Sequence, residues 1–144
     1  MTLDDIFVMF EKDSKFDRTE LGDESLKIAS LHGKYFKLYS EQRLKWKKME
    51  SEYKKLYKLK HEYYMGVLPP ETLDQYGWEP NALRILKQDL PLYLDSDEDL
   101  NSMSLKIEYQ KEKINALEGI IKHINNRGFQ IKAAIDWAKF TAGI

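Results

Sequence analysis

The sequence predicts an all-α fold, with long helices packed as a helical bundle. Apolar residues recur at heptad spacing over two long segments, and no segment shows the polar–apolar alternation of a β-strand. Only seven glycines and four prolines interrupt the 144 residues, which suits long helices. The length is that of one ordinary domain, and the hydrophobic fraction of 42% fits a folded soluble protein.

The amino terminus predicts a short structural helix, with Thr2 and Asp5 spaced as a capping box. Acidic residues stand where a signal peptide would have lysine. No apolar run approaches the roughly 20 residues that a membrane span needs. The chain also lacks cysteine, which suits a reducing compartment, so we expect a cytosolic protein.

The next segment, from Arg18 to Met65, contains no proline and predicts one long helix. A helix of some 40 residues is roughly 60 Å long. Asp17 is expected to cap it, and Gly22 and Gly33 are its weak points. Its expected seam consists of heptad-spaced residues, led by Leu21, Ile28, Tyr35, Gln42, Met49, Leu56 and Tyr63.

Residues 67–80 are rich in turn formers and predict a loop. A short amphipathic stretch follows, from Asn81 to Leu90, and Pro91 is expected to end it. Ser96 and Asp99 have the spacing of a second capping box, which places the start of the next helix there.

The second long segment has an apolar seam that begins at Leu100. Arg127-Gly128 is expected to interrupt it, so that Phe129 to Phe140 forms a separate closing helix. Because one short chain covers such long helices poorly, we expect the protein to self-associate as a ring or a bundle of protomers.

Positive charge is concentrated in residues 34–61, which have a net charge of +7 while the rest of the chain has −8. Eight aromatic residues lie in residues 34–64. Lysines neutralise phosphates and aromatic rings stack on unpaired bases, so this combination favours single-stranded nucleic acid. A solvated helix face with aromatic residues in the core is the simpler alternative for the same pattern.

No catalytic motif is present: the sequence has no phosphate-binding glycine loop, no G-x-S-x-G and no H-E-x-x-H. Asp95, Asp97 and Asp99 imitate part of a calcium loop, but Leu100 and Lys106 stand where glycine and glutamate are required. The three histidines are far apart. We therefore expect no enzyme, no metal and no cofactor.

Two local patterns are more specific than composition. The first is Lys58-Leu59-Lys60-His61-Glu62-Tyr63-Tyr64-Met65-Gly66, and the second is Asn126-Arg127-Gly128-Phe129-Gln130-Ile131-Lys132 with the Ile135-Asp136-Trp137 and Phe140-Thr141-Ala142-Gly143 segments after it. Together, and in this order along essentially the whole chain, they resemble the UvsY family of recombination mediators of tailed phages.

This resemblance implies a non-catalytic protein of phage recombination and recombination-dependent replication, acting in the cytoplasm of the infected host cell. It implies single-stranded DNA as ligand, a RecA-like recombinase and a phage single-strand binding protein as partners, and rings of six or seven protomers. The protein would help to load the recombinase where the binding protein already sits. The family's basic pair falls on Lys58 and Lys60, where lysine in the second position replaces arginine and its bidentate fork.

The resulting hypothesis assigns residues 1–66 to strand binding, residues 67–99 to a connector and residues 100–144 to assembly. The predicted DNA-binding residues are Lys58, Lys60, Lys54, Lys55, Lys47, Lys48, Tyr57 and Tyr64. The predicted assembly residues are Ile107, Ile114, Leu117, Ile121, Ile124, Phe129, Ile131, Ile135 and Trp137. Two alternatives remain: a helical scaffold or adaptor that binds an acidic protein, and a helix on a membrane surface. The second is disfavoured because Trp46 directly precedes Lys47 and Lys48.

Overall fold

A computed structural model describes residues 1–144 and contains five α-helices and no strand. Helix α1 spans Leu3–Asp13, α2 Leu21–Tyr64, α3 Pro70–Tyr76, α4 Leu90–Asp95 and α5 Glu98–Thr141, and a 3₁₀ turn covers Lys87–Asp89. The all-α prediction is confirmed. None of the helices combines the length and the apolar character that crossing a bilayer requires.

The chain forms two compact units. The first consists of Met1–Lys45 and Gln110–Ile144, and the second of Trp46–Tyr109. The two long helices, α2 and α5, each contribute to both units, and each unit has its own hydrophobic core.

The amino-terminal helix begins as its sequence predicts. The Thr2 hydroxyl accepts a hydrogen bond from the Asp5 N–H at 3.1 Å, and the Asp5 carboxylate accepts one from the Thr2 N–H at 2.7 Å. This capping box satisfies backbone donors that a helix start otherwise leaves unpaired. Ile6 of α1 is fully buried.

The core of the first unit joins α1, α2 and α5. Ile6, Tyr35, Leu117, Ile120 and Ile124 are its buried members. The Phe10 ring meets the Tyr35 ring edge to face, with centroids 5.8 Å apart. The buried seam residues confirm the predicted helical periodicity at these positions.

The long basic helix is continuous, and neither Gly22 nor Gly33 interrupts it. The prediction that Asp17 caps this helix is wrong. The helix begins at Leu21, and the Asp17 carboxylate instead accepts hydrogen bonds from the Thr19 N–H at 2.9 Å and the Thr19 hydroxyl at 2.6 Å. Such a local turn is a common use of aspartate outside helices.

The predicted loop at residues 67–80 contains a helix, α3, and another helix, α4, begins at Leu90, the last residue of the predicted amphipathic stretch. Pro70 lies in the first turn of α3 and Pro91 in the first turn of α4. Proline suits that position because its missing N–H would be unpaired there anyway. The prediction that Pro91 ends the amphipathic stretch is therefore wrong, because Pro91 lies in the first turn of a helix there. Gly77 ends α3 with φ +67°, a left-handed conformation that glycine adopts without strain.

The last helix runs without a break from Glu98 to Thr141, so the predicted interruption at Arg127-Gly128 is wrong. Arg127 is buried and its side chain binds backbone oxygens at the end of α1, which shows a packing role for this pair of residues. The predicted capping box of Ser96 and Asp99 is also wrong. The cap comes from Asp97, whose carboxylate accepts the Leu100 N–H at 2.9 Å.

The core of the second unit contains three buried leucines, Leu90, Leu94 and Leu100. Half-buried residues of α2 pack against them: Tyr53, Leu56 and Tyr64. This core leaves the other side of α2 in the second unit facing solvent.

Candidate nucleic-acid interface

The part of α2 that belongs to the second unit presents five exposed lysines, here called the lysine stripe: Lys47, Lys48, Lys54, Lys55 and Lys58. At about 100° per residue these positions fall within an arc of about 120° around the helix. At about 1.5 Å per residue they extend along about 16 Å of its axis. The stripe is therefore a continuous cationic surface on one face of one helix.

Acidic residues of the protein neutralise little of the positive charge of the stripe. Lys58 Nζ lies 3.9 Å from Glu62 Oε1, and the Lys58 side chain is 80% exposed. An exposed pair at that distance contributes little and exchanges readily with other anions. Lys47 Nζ lies over the Trp46 ring, 4.8 Å from its centroid, so its contact there is a cation–π interaction with an uncharged partner.

Tyr57 lies at the edge of the stripe. Tyr57 is 43% exposed. Its ring centroid lies 6.3 Å from that of Tyr53, which packs on the core of the second unit. Tyr53 thus supports one part of the Tyr57 ring while another part faces solvent. An exposed ring beside lysines is suited to stacking on an unpaired base.

Lys60 is placed differently from the stripe. The residue is only 5% exposed, and its Nζ lies 3.1 Å from Asp97 Oδ2 and 2.7 Å from Asp99 Oδ2. The same ammonium group lies 4.1 Å from the centroid of the Trp78 ring. Lys60 therefore binds α5 and the segment after α3 inside the second unit.

Tyr64 is also part of this internal network. Its hydroxyl donates a hydrogen bond of 2.6 Å to Asp97 Oδ2. Burial raises the pKa of Tyr64 above its usual value of 10.0, and the hydrogen bond to the Asp97 carboxylate raises it further. Neither Tyr64 nor Lys60 lies on the lysine stripe, and their contact with DNA stays a prediction.

Asp97 is the centre of the network. Burial opposes its ionisation, but hydrogen bonds from Tyr64, the Leu100 N–H and Lys60 outweigh this and hold the pKa of Asp97 below 3.8. Its carboxylate is therefore an anion at neutral pH that three donors bind: Tyr64, Lys60 and the Leu100 N–H. The acidic run before α5 thus includes a structural ion pair in addition to a helix cap.

The predicted assembly residues fall into two groups. Six of them are buried or half-buried inside the protomer: Ile107, Ile114, Leu117, Ile121, Ile124 and Ile131. Phe129, Ile135 and Trp137 are 76%, 37% and 66% exposed. The rings of Trp137 and Phe140 stack with centroids 5.7 Å apart on the same exposed part of α5.

Sequence reasoning did not identify the three residues that contact the Lys60 ammonium group: Asp97, Asp99 and Trp78. One signal was available for Lys60 itself. Residues two apart on an α-helix point in nearly opposite directions, so Lys58 and Lys60 do not share a face. Nothing local in the sequence points to Trp78, because its place depends on how the segment after α3 folds back.

An all-helical protein with an exposed and largely uncompensated lysine stripe has the kind of surface that polyanion-binding proteins use. The sequence profile of the family described as "Recombination, repair and ssDNA binding protein UvsY" matches residues 9–144. The chain belongs to the UvsY family.

Individual relatives agree with this assignment. "Recombination protein uvsY" of Enterobacteria phage T4 is 24% identical over 143 residues, which is 99% of each chain. A crystal structure of the bacteriophage T4 recombination mediator protein UvsY superposes with a TM-score of 0.85 at 25% identity, covering 99% of this chain and 98% of the other. A second crystal structure of that protein gives a TM-score of 0.85 at 24% identity, with coverages of 97% and 99%.

Proposed function

We propose that this protein is a recombination mediator of phage homologous recombination and recombination-dependent replication. It binds single-stranded DNA and helps a RecA-like recombinase to load onto strands that a single-strand binding protein covers. The observation that supports this proposal best is the lysine stripe on a chain of the UvsY family.

The chemistry of the stripe favours a single strand. Its ligands are ammonium groups, which bind phosphates as point charges and do not read base edges. A flexible strand adapts its phosphates to such a row, and Tyr57 at the edge offers a stacking surface that accepts any base. Mediation on arbitrary sequence requires this lack of base preference.

Assembly multiplies the effect of the stripe. In this proposal residues 1–66 bind the strand, residues 67–99 connect, and residues 100–144 assemble six or seven protomers. Each protomer then adds one stripe, so weak contacts sum through multivalency. Among the predicted assembly residues of α5, Phe129, Ile135 and Trp137 have exposed side chains that a neighbouring protomer can contact.

The DNA-binding part of the proposal is tested by fluorescence anisotropy of a labelled single-stranded oligonucleotide at several salt concentrations, with unlabelled duplex as competitor. Five stripe lysines that each neutralise one phosphate give a log–log salt slope of about −3.5 per protomer, at about 0.7 per phosphate. Changing Lys54→Ala together with Lys55→Ala lowers the magnitude of that slope by about 1.4.

The matched control removes two exposed lysines that are not part of the stripe, Lys12→Ala with Lys15→Ala, and is expected to leave the slope unchanged. Absence of binding by the unaltered protein at low salt contradicts the proposal. That result identifies the stripe as a contact surface for an acidic protein, as a scaffold or adaptor would use it.

The mediator part is tested with a RecA-like phage recombinase and its single-strand binding protein. The strand is first covered by the binding protein, and the recombinase's DNA-dependent ATP hydrolysis is then followed in time. Addition of this protein is expected to shorten the lag before ATP hydrolysis. The variant with Lys54→Ala and Lys55→Ala is expected to shorten this lag less, because it binds the strand more weakly. A lag that this protein leaves unchanged contradicts mediation while leaving strand binding intact.

A further inference from the structure

The two lysines of the family's basic pair have opposite environments in this chain. Lys58 and Lys60 are two residues apart on α2, so their side chains point about 200° apart around the helix. The Lys58 side chain is 80% exposed, whereas the Lys60 side chain is 7% exposed. One strand lying on the solvent face of α2 reaches the first lysine and not the second.

The groups around Lys60 already satisfy its charge. Asp97 Oδ2 and Asp99 Oδ2 lie 3.1 Å and 2.7 Å from its Nζ, in the positions that two phosphate oxygens would take. Asp97 is itself held by the Tyr64 hydroxyl and the Leu100 N–H. A phosphate that took Lys60 would leave the buried Asp97 carboxylate without its cation, which is strongly unfavourable.

We propose that Lys60 is a positioning residue that is withheld from DNA by Asp97 and Asp99, and that phosphate binding is the work of the lysine stripe alone. This inference rests on the proposed strand-binding function. Lys60 joins the end of α2 to the start of α5 through the two carboxylates, and to the segment after α3 through the Trp78 ring. It keeps the second unit folded beneath Lys58 and Tyr57.

The salt slope separates a phosphate ligand from a positioning residue. Lys58→Ala is expected to lower the magnitude of the slope by about 0.7, because one phosphate is no longer neutralised. A tenfold rise in salt then weakens its binding about fivefold less than that of the unaltered protein. Lys60→Ala is expected to keep the unaltered slope, even where its overall affinity falls.

Two further readouts report the positioning role. Lys60→Ala is expected to lower the melting temperature and to shift tryptophan emission, and the emission shift disappears in a Trp78→Phe background. Lys60→Arg restores the charge and much of the melting temperature. Lys58→Ala leaves both the melting temperature and the emission unchanged, since its side chain is exposed.

Lys60→Ala leaves the buried Asp97 carboxylate without its cation. Circular dichroism shows whether this variant still folds. If it does not fold, the double variant Lys60→Met with Asp97→Asn is used, because it removes both buried charges and keeps an acceptor for the Leu100 N–H. Its slope is expected to equal that of the unaltered protein.

A slope lowered by about 0.7 in Lys60→Ala or in the double variant, as in Lys58→Ala, overturns the proposal. That result makes Lys60 a phosphate ligand that leaves its carboxylates when DNA binds. Failure of the proposed function looks different, because the unaltered protein then shows no strand binding and no slope at all.

Discussion

Arg127 Nη2 donates a hydrogen bond of 2.8 Å to the backbone oxygen of Ser14, the C-cap residue of α1, and a second of 3.2 Å to the backbone oxygen of Asp13, the last residue of that helix. Arg127 is 2% exposed and also lies beside the Phe16 ring. A buried guanidinium thus satisfies carbonyl oxygens that a helix end leaves unpaired. One side chain of α5 fixes the end of α1.

Replacing Arg127 by Met is therefore expected to lower the free energy of unfolding by about 2 to 3 kcal/mol, the usual effect of losing hydrogen bonds from a charged group. Urea denaturation followed by circular dichroism measures it. The control is Lys132→Met, an exposed position on the same helix, which is expected to change little. An Arg127→Met protein as stable as the control contradicts the assigned role.

The Tyr35 hydroxyl is a polar group of α2 that binds α1. It donates a hydrogen bond of 2.7 Å to Asp13 Oδ2, and the residue is fully buried. Tyr35→Phe is expected to cost about 1.5 to 2 kcal/mol of unfolding free energy, because the acceptor is charged. Thermal or urea unfolding provides the value, and Tyr76→Phe, at a residue 47% exposed, is expected to cost little.

Stability is expected to depend on pH through Asp97. Because its folded-state pKa is lowered from 3.8, the stability it contributes is fully present above about pH 4 and is lost as the pH falls through the lower folded value. Unfolding curves between about pH 7 and pH 2.5 measure this loss. Asp97→Asn is expected to be less stable at neutral pH and to show a smaller fall in acid.

The exposed Asp95→Asn serves as the matched control for that series, and its curve is expected to follow that of the unaltered protein. Asp5, Asp13 and Asp17 also have lowered pKa values, so some acid dependence remains in every variant. An Asp97→Asn protein with the full acid dependence of the unaltered chain argues against the carboxylate network as its source.

Assembly is expected to depend on the exposed apolar side chains in the last third of α5. Phe129→Ala together with Trp137→Ala removes two large exposed side chains, and burying each in an interface is worth about 2 kcal/mol. Analytical ultracentrifugation is expected to show smaller species with unchanged helicity. Leu105→Ala, at a residue 71% exposed on the same helix, is the control and keeps the assembled mass. Equal masses for both variants argue against this surface.

Much of the fold was predictable because its determinants are local. The Thr2–Asp5 capping box depends on residues three apart, and the buried faces of α2 and α5 follow from heptad periodicity. The positive charge of the stripe was predictable for the same reason, because the helical period alone places these lysines on one face of the helix.

The errors arose where one residue type has two structural uses. Proline ends helices and also begins them, and the sequence does not say which applies at Pro70 and Pro91. Gly128 lies inside α5, where a Cβ would stand 4.0 Å from Ile28 Cδ1, in the contact between α5 and α2. Glycine alone disfavours a helical conformation, and α5 is nevertheless continuous through this position.

The sequence by itself determined an all-α chain, a concentrated basic helix and the resemblance to the UvsY family, because charge, periodicity and motif spacing are properties of the chain in order. Only the tertiary structure decided which lysines are free. Lys58 and Lys60 are alike in sequence, but α5 brings Asp97 and Asp99 to one side of α2 alone. A lysine buried against two carboxylates is held by an ion pair, and a lysine facing water remains available to an anion.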